Sequence, residues 1–447
     1  MRAFGIWAAA VAILFPAMAI AGDDPPPEQA CHFGAYRLPD GALLTLAPSD
    51  SPNLRYRMRD GTAGKLYPTP DGGYEGGDGW SVRTPVTTRA RFGPCGAGHF
   101  SWRRGDGSAV EARRVPLPVE PITFTSGTTR LYGELVLPAA GTPKAVVVLQ
   151  YGSGSDSAVL NNYVQYMLPL DGVAVFVFDK RGTGRSGGGL SMDFRTLAGD
   201  MAAAVDAVRA RPAAKGVPLG LMGESQGGWV APLAATLRKV DFVVASYGLA
   251  VSPVGEDRDE VAQSVQAHGP KALAQANTLH LAAMRLANSH FREGQDELER
   301  LKALYRDEPW FKDVGGDFTG TLATTPAEKL GEIRAMFDFP YDLEYEPEPV
   351  LAQLNTPMLW VLAGQDTEAP HETTLAVLRK LQAAHAPIDV ALFPTADHGM
   401  IEVAPGPDGK AKAVGRLSPG YFDLLADWIV RQRLEGSYGA ATLIPRR

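Results

Sequence analysis

A serine hydroxyl becomes a nucleophile only when a base takes its proton, and the base works only when an acid holds it in the right tautomer. The chain carries two serines in the pattern G-x-S-x-G: Ser225 in "GESQGG" (223–228) and Ser186 in "GRSGG" (184–188). With 49 glycines in the chain, on the order of a third of such a match is expected by chance, so the pattern alone decides nothing. The chemistry needs the serine on an abrupt strand-to-helix turn, where the hydroxyl projects from the end of a sheet. Ser225 meets this requirement: apolar "PLGLM" runs into Gly223, and "GGWVAPLAATLRK" begins a helix at once. Ser186 follows a strand that stops at Asp179 and lies in the glycine-rich "KRGTGRSGGGL". It reads as a structural loop residue.

The partners follow in the order that a serine-based site on a parallel sheet requires: nucleophile, acid, base. Asp366 stands just past the apolar run of "VLAGQDTEAP", and His398 just past that of "ALFPTADHGM". Among the 8 histidines, His385 precedes its strand and so faces the wrong edge. His268, His280 and His290 lie in a helical interval, and His32 and His99 in the first quarter of the chain. His371 is the rival, although its place at a helix start suits capping. Asp397 abuts His398 but is expected to point away from it, and Asp342 is a more remote alternative acid. Negative charge developing on a carbonyl oxygen needs preorganised donors. The backbone N–H groups of Gln226 and Ser153, the latter in "YGSGSDS" (151–157), are the candidates.

These residues need a scaffold. "AVVVLQYG", "VAVFVFD", "PLGLMG", "DFVVASYG", "PMLWVLAG" and "IDVALFP" read as buried parallel strands, and the segments between them carry helical periodicity. The expected class is α/β: a mostly parallel, doubly wound sheet with helices on both faces. Its two parts cover residues 117–248 and 352–447, with a β-hairpin at "ITFTSGTTRLYGELVLP". The intervening residues 249–351 exceed any ordinary crossover and read as an inserted helical cap. Its aromatic residues Trp310, Phe311, Phe337, Phe339 and Tyr341 either line an apolar pocket or pack the cap. Residues 22–116, with short alternating runs and Asp-Gly turns, read as a small β-rich module.

A net charge of −7 and the lack of a basic cluster exclude nucleic acid as a main partner. Residues 1–21 have one early cation, an apolar run and Ala19-Ile20-Ala21, which reads as a cleaved signal peptide; an uncleaved anchor is the alternative. Export to an oxidising compartment makes a Cys31–Cys95 disulfide the expected state of the only two cysteines. The pair is too few for a metal site. No organic cofactor is implied, and oligomeric state leaves no mark on the sequence.

Taken together, "LQYGSGSDS", "FDKRGTGRSGG", "GLMGESQGG", "LAGQDTEAP" and "ADHG" resemble the α/β-hydrolase superfamily. The resemblance covers roughly residues 120 to 435. It is nearest to bacterial serine hydrolases grouped with S33-type aminopeptidases, dienelactone hydrolases and acyl-hydrolase esterases. It implies a Ser225–His398–Asp366 triad, an acyl-enzyme, and a structural role for the "DKRGTGRS" loop. The implied substrate is a small or medium acyl ester, with N-terminal peptide trimming as the alternative. A non-catalytic envelope-binding module is a third reading. Relatives usually carry His-Gly where this chain has Tyr151-Gly152, which puts the hydrogen bonding of that loop in question.

Overall fold

The structure is a computed structural model and describes residues 27–79, 83–406 and 411–446. The expected signal peptide lies outside the described residues. By contacts the chain forms two compact units. One covers residues 257–338; the other holds the chain before and after it.

The first described segment closes on itself. β1 (Gly34–Arg37), β2 (Leu43–Pro48), β3 (Leu54–Met58), β4 (Ala63–Pro68), β5 (Tyr74–Gly76), β6 (Thr88–Phe92), β7 (His99–Arg104) and β8 (Val110–Arg114) form a closed barrel. Each pairs antiparallel with the next, and β8 returns to β1 through Tyr36↔Arg114. Asp-Gly turns drive the reversals. The Asp40 and Asp60 carboxylates accept from the amides of Ala42 and Thr62 at 2.9 and 2.8 Å, while Gly41 and Gly61 take φ of 90° and 92°. Leu44, Leu46, Tyr56, Leu66, Phe100 and Trp102 fill the interior. A Cys31–Cys95 disulfide ties the segment before β1 to the β6–β7 turn.

The nine-stranded sheet of the body continues with β9 (Val119–Ser126), β10 (Thr129–Val136), β11 (Ala145–Gln150), β12 (Val173–Phe178), β13 (Leu219–Glu224), β14 (Val243–Ser246), β15 (Met358–Ala363) and β16 (Ile388–Phe393). A separate hairpin follows, β17 (Ile401–Pro405) and β18 (Ala411–Leu417), and β19 (Thr442–Ile444) rejoins the sheet. The order is β19-β16-β15-β14-β13-β11-β12-β10-β9. The six apolar runs read as parallel strands are β11 to β16, and all pair in parallel. β9, β10 and β19 are antiparallel additions at the two edges. β17, β18 and β19 carry no apolar run long enough to announce them. Both faces of the sheet are covered. Helices Phe194–Arg209, Gly227–Leu237 and His371–Ala383 pack on one face, and Tyr421–Arg431 on the other.

The barrel belongs to the same compact unit as the sheet and is fastened to it. Leu417 N–H donates to Gly61 O at 2.7 Å, and Arg59 bridges Asp171 and Asp423 at 2.9 and 2.7 Å.

The other unit is helical, with Gly269–Asn288 and Gln295–Tyr305 as its longest segments wholly inside it. Its buried Asp257 carboxylate accepts from the amides of Phe318 and Thr319 and from the Thr319 hydroxyl, and His280 Nδ1 lies 2.8 Å from it. Trp310 packs on Tyr305, and Phe337 on Phe291 and Phe318. Both are buried inside this unit. These contacts serve the packing of the unit. Among the described residues no helix is long and apolar enough to cross a membrane.

Candidate active site

β13 ends at Glu224, Ser225 follows, and the helix Gly227–Leu237 starts two residues later. Ser225 takes φ of 51°, a conformation costly for a residue with a side chain. The turn is held by Ser225 N–H donating to Ser246 O at 3.0 Å and by Gly228 N–H donating to Ser225 O at 2.7 Å. The glycines of "GESQGG" are there for space. A Cβ on Gly223 would sit 1.8 Å from Gly227 O, one on Gly227 2.6 Å from Gln150 O, and one on Gly228 2.7 Å from Gly248 Cα.

His398 and Asp366 come together. His398 Nδ1 lies 3.0 and 3.2 Å from the two Asp366 oxygens. Asp366, buried past the end of β15, also accepts from the amides of Glu368 and Ala369 at 3.0 and 2.8 Å, which fixes its carboxylate. His398 follows β16, in a short turn where Gly399 and Met400 both take positive φ. Burial opposes its charge. The Asp366 carboxylate, with help from Glu368 and Asp397, outweighs burial and raises the imidazole to about 9. Tyr247, next to β14, sets its ring edge-on to the imidazole, with centroids 5.0 Å apart. No hydrogen bond joins Ser225 Oγ to His398 among the described residues. His398 Nε2 lies 3.8 Å from Glu368 Oε2. Such contacts are often long before substrate arrives.

Gly152 touches Ser225: a Cβ built on it would lie 3.1 Å from Ser225 Cβ. Ser153 is the next residue in that loop, and Gln226 directly follows the serine. Two side chains stiffen the loop. The Tyr151 hydroxyl donates to Gly154 O at 2.8 Å and also reaches Asp156 O, so this tyrosine folds back to close its own turn. Lys180, fully buried, donates through Nζ to Gly152 O at 2.6 Å. Burial lowers its pKa to about 7.

The rivals lie elsewhere. Ser186 Oγ donates to Asp179 O at 2.6 Å and accepts from Tyr132 N–H at 2.9 Å, so its hydroxyl serves the backbone. His371 opens a helix with Nδ1 3.7 Å from Glu372. Asp342 accepts from Glu344 N–H in its own turn. Asp397, expected to point away, is near the pair: burial, then repulsion from Asp366, raise its carboxyl to about 7. Its Oδ1 is buried and makes no hydrogen bond among the described residues.

Three charged groups near this site escaped sequence reasoning. Glu368 sits inside the quoted "GQDTEAP" but is not an acid that the triad order calls for. Glu224, buried beside Ser225, accepts from Asn162 Nδ2 at 2.7 Å. Burial pushes its carboxyl up, while hydrogen bonds from Asn162 and Tyr247 and the charges of Arg57 and His398 act against that. Arg57 comes from the barrel, a segment with no resemblance to guide its reading.

The parallel sheet with antiparallel additions at its edges, and a strand–turn–helix carrying Ser225 at positive φ, define an α/β-hydrolase fold. Residues 141–316 match the family model described as serine aminopeptidase, S33. Over this stretch, somewhat under half of the chain, the protein is similar to that family. Similar solved structures include an esterase of Pyrococcus furiosus, 15% identical, covering 64% of this chain and 84% of that one at a TM-score of 0.41. Another is Est1E of Butyrivibrio proteoclasticus with ferulic acid bound, 13% identical, covering 69% and 96% at 0.39. A third is an acylaminoacyl peptidase of Pyrococcus horikoshii, 14% identical, covering 80% and 52% at 0.40. No match is found among curated proteins.

Proposed function

We propose that the protein is a serine hydrolase that cleaves carboxylic esters through an acyl-enzyme on Ser225. His398 takes the serine proton, Asp366 holds the imidazole and balances its charge, and the amides of Gln226 and Ser153 receive the oxyanion. His398 then protonates the leaving alcohol, and water releases the acid. The observation that carries this reading is the Asp366–His398 pair at 3.0 Å, on the same sheet whose β13 delivers Ser225 at positive φ. Neither step calls on a cofactor. The disulfide supports export to the periplasm or beyond.

The ester preference rests on where the carboxylates go. A peptidase that trims N-termini needs one to hold the free amine, and the acidic stretch "DLEYEPE" (342–348) could supply it. Asp342 caps its own turn, Glu348 pairs with Lys380, and Glu344 and Glu346 are exposed. One observation favours the peptidase reading: Glu368, 38% exposed beside His398 Nε2, is suitably charged to receive an amine.

A fluorophosphonate should label the wild type and not Ser225→Ala, and the variant should lose about a millionfold in kcat. Folded wild type that resists labelling would sink the reading. Nitrophenyl esters run beside aminoacyl nitroanilides decide the substrate: preferential anilide turnover establishes the peptidase.

A further inference from the structure

The outer wall of the barrel gathers arginines that stand apart in the sequence. Residues 31–115 hold 12 Lys and Arg against 8 Asp and Glu, in a chain whose net charge is −7. On β6, Thr88 and Ala90 are buried while Arg89 and Arg91 are exposed. On β7, Phe100 and Trp102 are buried, so by alternation Ser101 and Arg103 lie on the outer side. The register sets Arg103 directly opposite Arg89, and Ser101 opposite Arg91. Like charges placed directly opposite each other work against strand pairing, so the stability of the barrel does not account for this pair. The nearby carboxylates do not match the arginines one for one. Glu75, opposite Arg89 on β5, is shared between Arg89 and Arg83 at 3.5 and 3.8 Å. Asp71 pairs with Arg91, and Glu111 with Arg113. Among the described residues no ion pair forms at Arg103.

These side chains line a concave surface. Arg89, Arg91, Arg103, Ser101 and Ser108 border a cavity of about 500 Å³. A second cavity, of about 460 Å³, shares Arg91 and Ser101 with the first and continues past His99. Two adjoining cavities form a groove that suits an extended chain. The surroundings select the kind of chain. A closed barrel has no free strand edge, so a peptide cannot add to it as a strand. Tyr74, Phe92 and Phe100 pack on one another, so these rings are engaged among themselves and not presented to a stacking base. A flat bilayer surface does not enter a concavity. The groove offers guanidinium forks, which match carboxylates bidentately, beside the exposed hydroxyls of Ser101 and Ser108, which exchange hydrogen bonds with other hydroxyls.

We propose that this groove binds an acidic polysaccharide, a chain of sugars bearing carboxylates. Arg89, Arg91 and Arg103 take the carboxylates, and Ser101 and Ser108 the sugar hydroxyls. The barrel is then an attachment module, and its binding does not depend on the serine-hydrolase reading.

The test is equilibrium binding of polygalacturonate to the full-length protein, with neutral dextran as the control. Polygalacturonate should bind, dextran should not, and the affinity should fall about tenfold or more between ~50 and ~300 mM salt. Arg89→Ser combined with Arg103→Ser should weaken binding about tenfold, with a melting temperature no lower than that of the wild type. Lysine at both positions should restore part of the affinity, because it keeps the charge and loses the fork. Arg306→Ser removes an exposed arginine of the helical unit and should bind as the wild type does. Should the double serine variant fail to fold, Arg103→Ser alone, with a loss of about threefold, carries the test. No binding of polygalacturonate, equal binding of dextran, undiminished affinity in the serine variants or an equal loss in Arg306→Ser would overturn the inference. So would tighter binding of duplex DNA or of phosphatidylglycerol vesicles than of polygalacturonate. Fluorophosphonate labelling of the same variants reads the serine separately and should proceed at the wild-type rate, so failure of the groove and failure of the hydrolase reading are distinguished.

Discussion

Replacing Glu368 by glutamine is expected to make the enzyme faster at neutral pH. The base must be neutral to accept the serine proton, and His398 is raised to about 9. At pH 7 only a small fraction of the enzyme is competent. Part of that elevation comes from Glu368, whose Oε2 lies 3.8 Å from Nε2, the nitrogen that has to take the proton. Glu368 is 38% exposed, so the water-like limit of the interaction applies, about 1 kcal/mol for unit charges at this separation. That corresponds to roughly 0.8 of a pH unit. The acid limb of kcat/KM follows the imidazole of the free enzyme and should move down by this amount. Well below the limb the rate scales with the neutral fraction, so kcat/KM at pH 7 should rise about sixfold. The assay is kcat/KM for a nitrophenyl ester from pH 6 to 10, with the plateau as internal control. A limb that does not move, or an ester rate that falls at pH 7, refutes the reasoning.

Asp397 should be tested by stability. Its folded carboxyl is raised to about 7, so its contribution to stability is present below the ordinary carboxylate range and lost as pH rises through 7. Asp397→Asn should therefore melt with the wild type at pH 4 and a few degrees above it at pH 8, a gain on the order of 1–2 kcal/mol after allowing for solvent access. Lys180→Met removes the buried donor to Gly152 O and should lower kcat about tenfold while leaving KM nearly unchanged; an unchanged kcat would show that the loop holds its shape without it. Cys31→Ser opens a 64-residue loop and should cost about 4 kcal/mol in the chain-entropy picture, seen as a lower denaturation midpoint. A midpoint unchanged by the substitution would mean that the barrel's packing holds that loop by itself.

The parallel sheet was legible because strands covered on both faces must be apolar throughout, and "AVVVLQ" and "VAVFVF" admit few other readings. The serine turn was legible because its glycines answer a steric demand that sequence displays. The barrel's closure was not: it depends on Tyr36 meeting Arg114, and nothing local encodes that meeting. β18, "AKAVGRL", is mostly exposed and so lacks the alternation that betrays a half-buried strand. Arg57 and Glu224 were invisible for a related reason. Charged residues in strands read as solvent-facing; the barrel's Arg57 is covered by Tyr163 of the body, and Glu224 ends a strand in the middle of the central sheet.

The three residues of β19 have a consequence for handling the protein. β16, the strand that leads to His398, would be an open edge of the sheet without them; its Val390, Ala391 and Leu392 are instead matched to Ile444, Leu443 and Thr442. A bare edge of this composition is a template for a second chain. Cutting the protein back to Gly439 would leave Ser225, Asp366 and His398 in place and is expected to yield a self-associating product, seen as a larger species in size-exclusion chromatography.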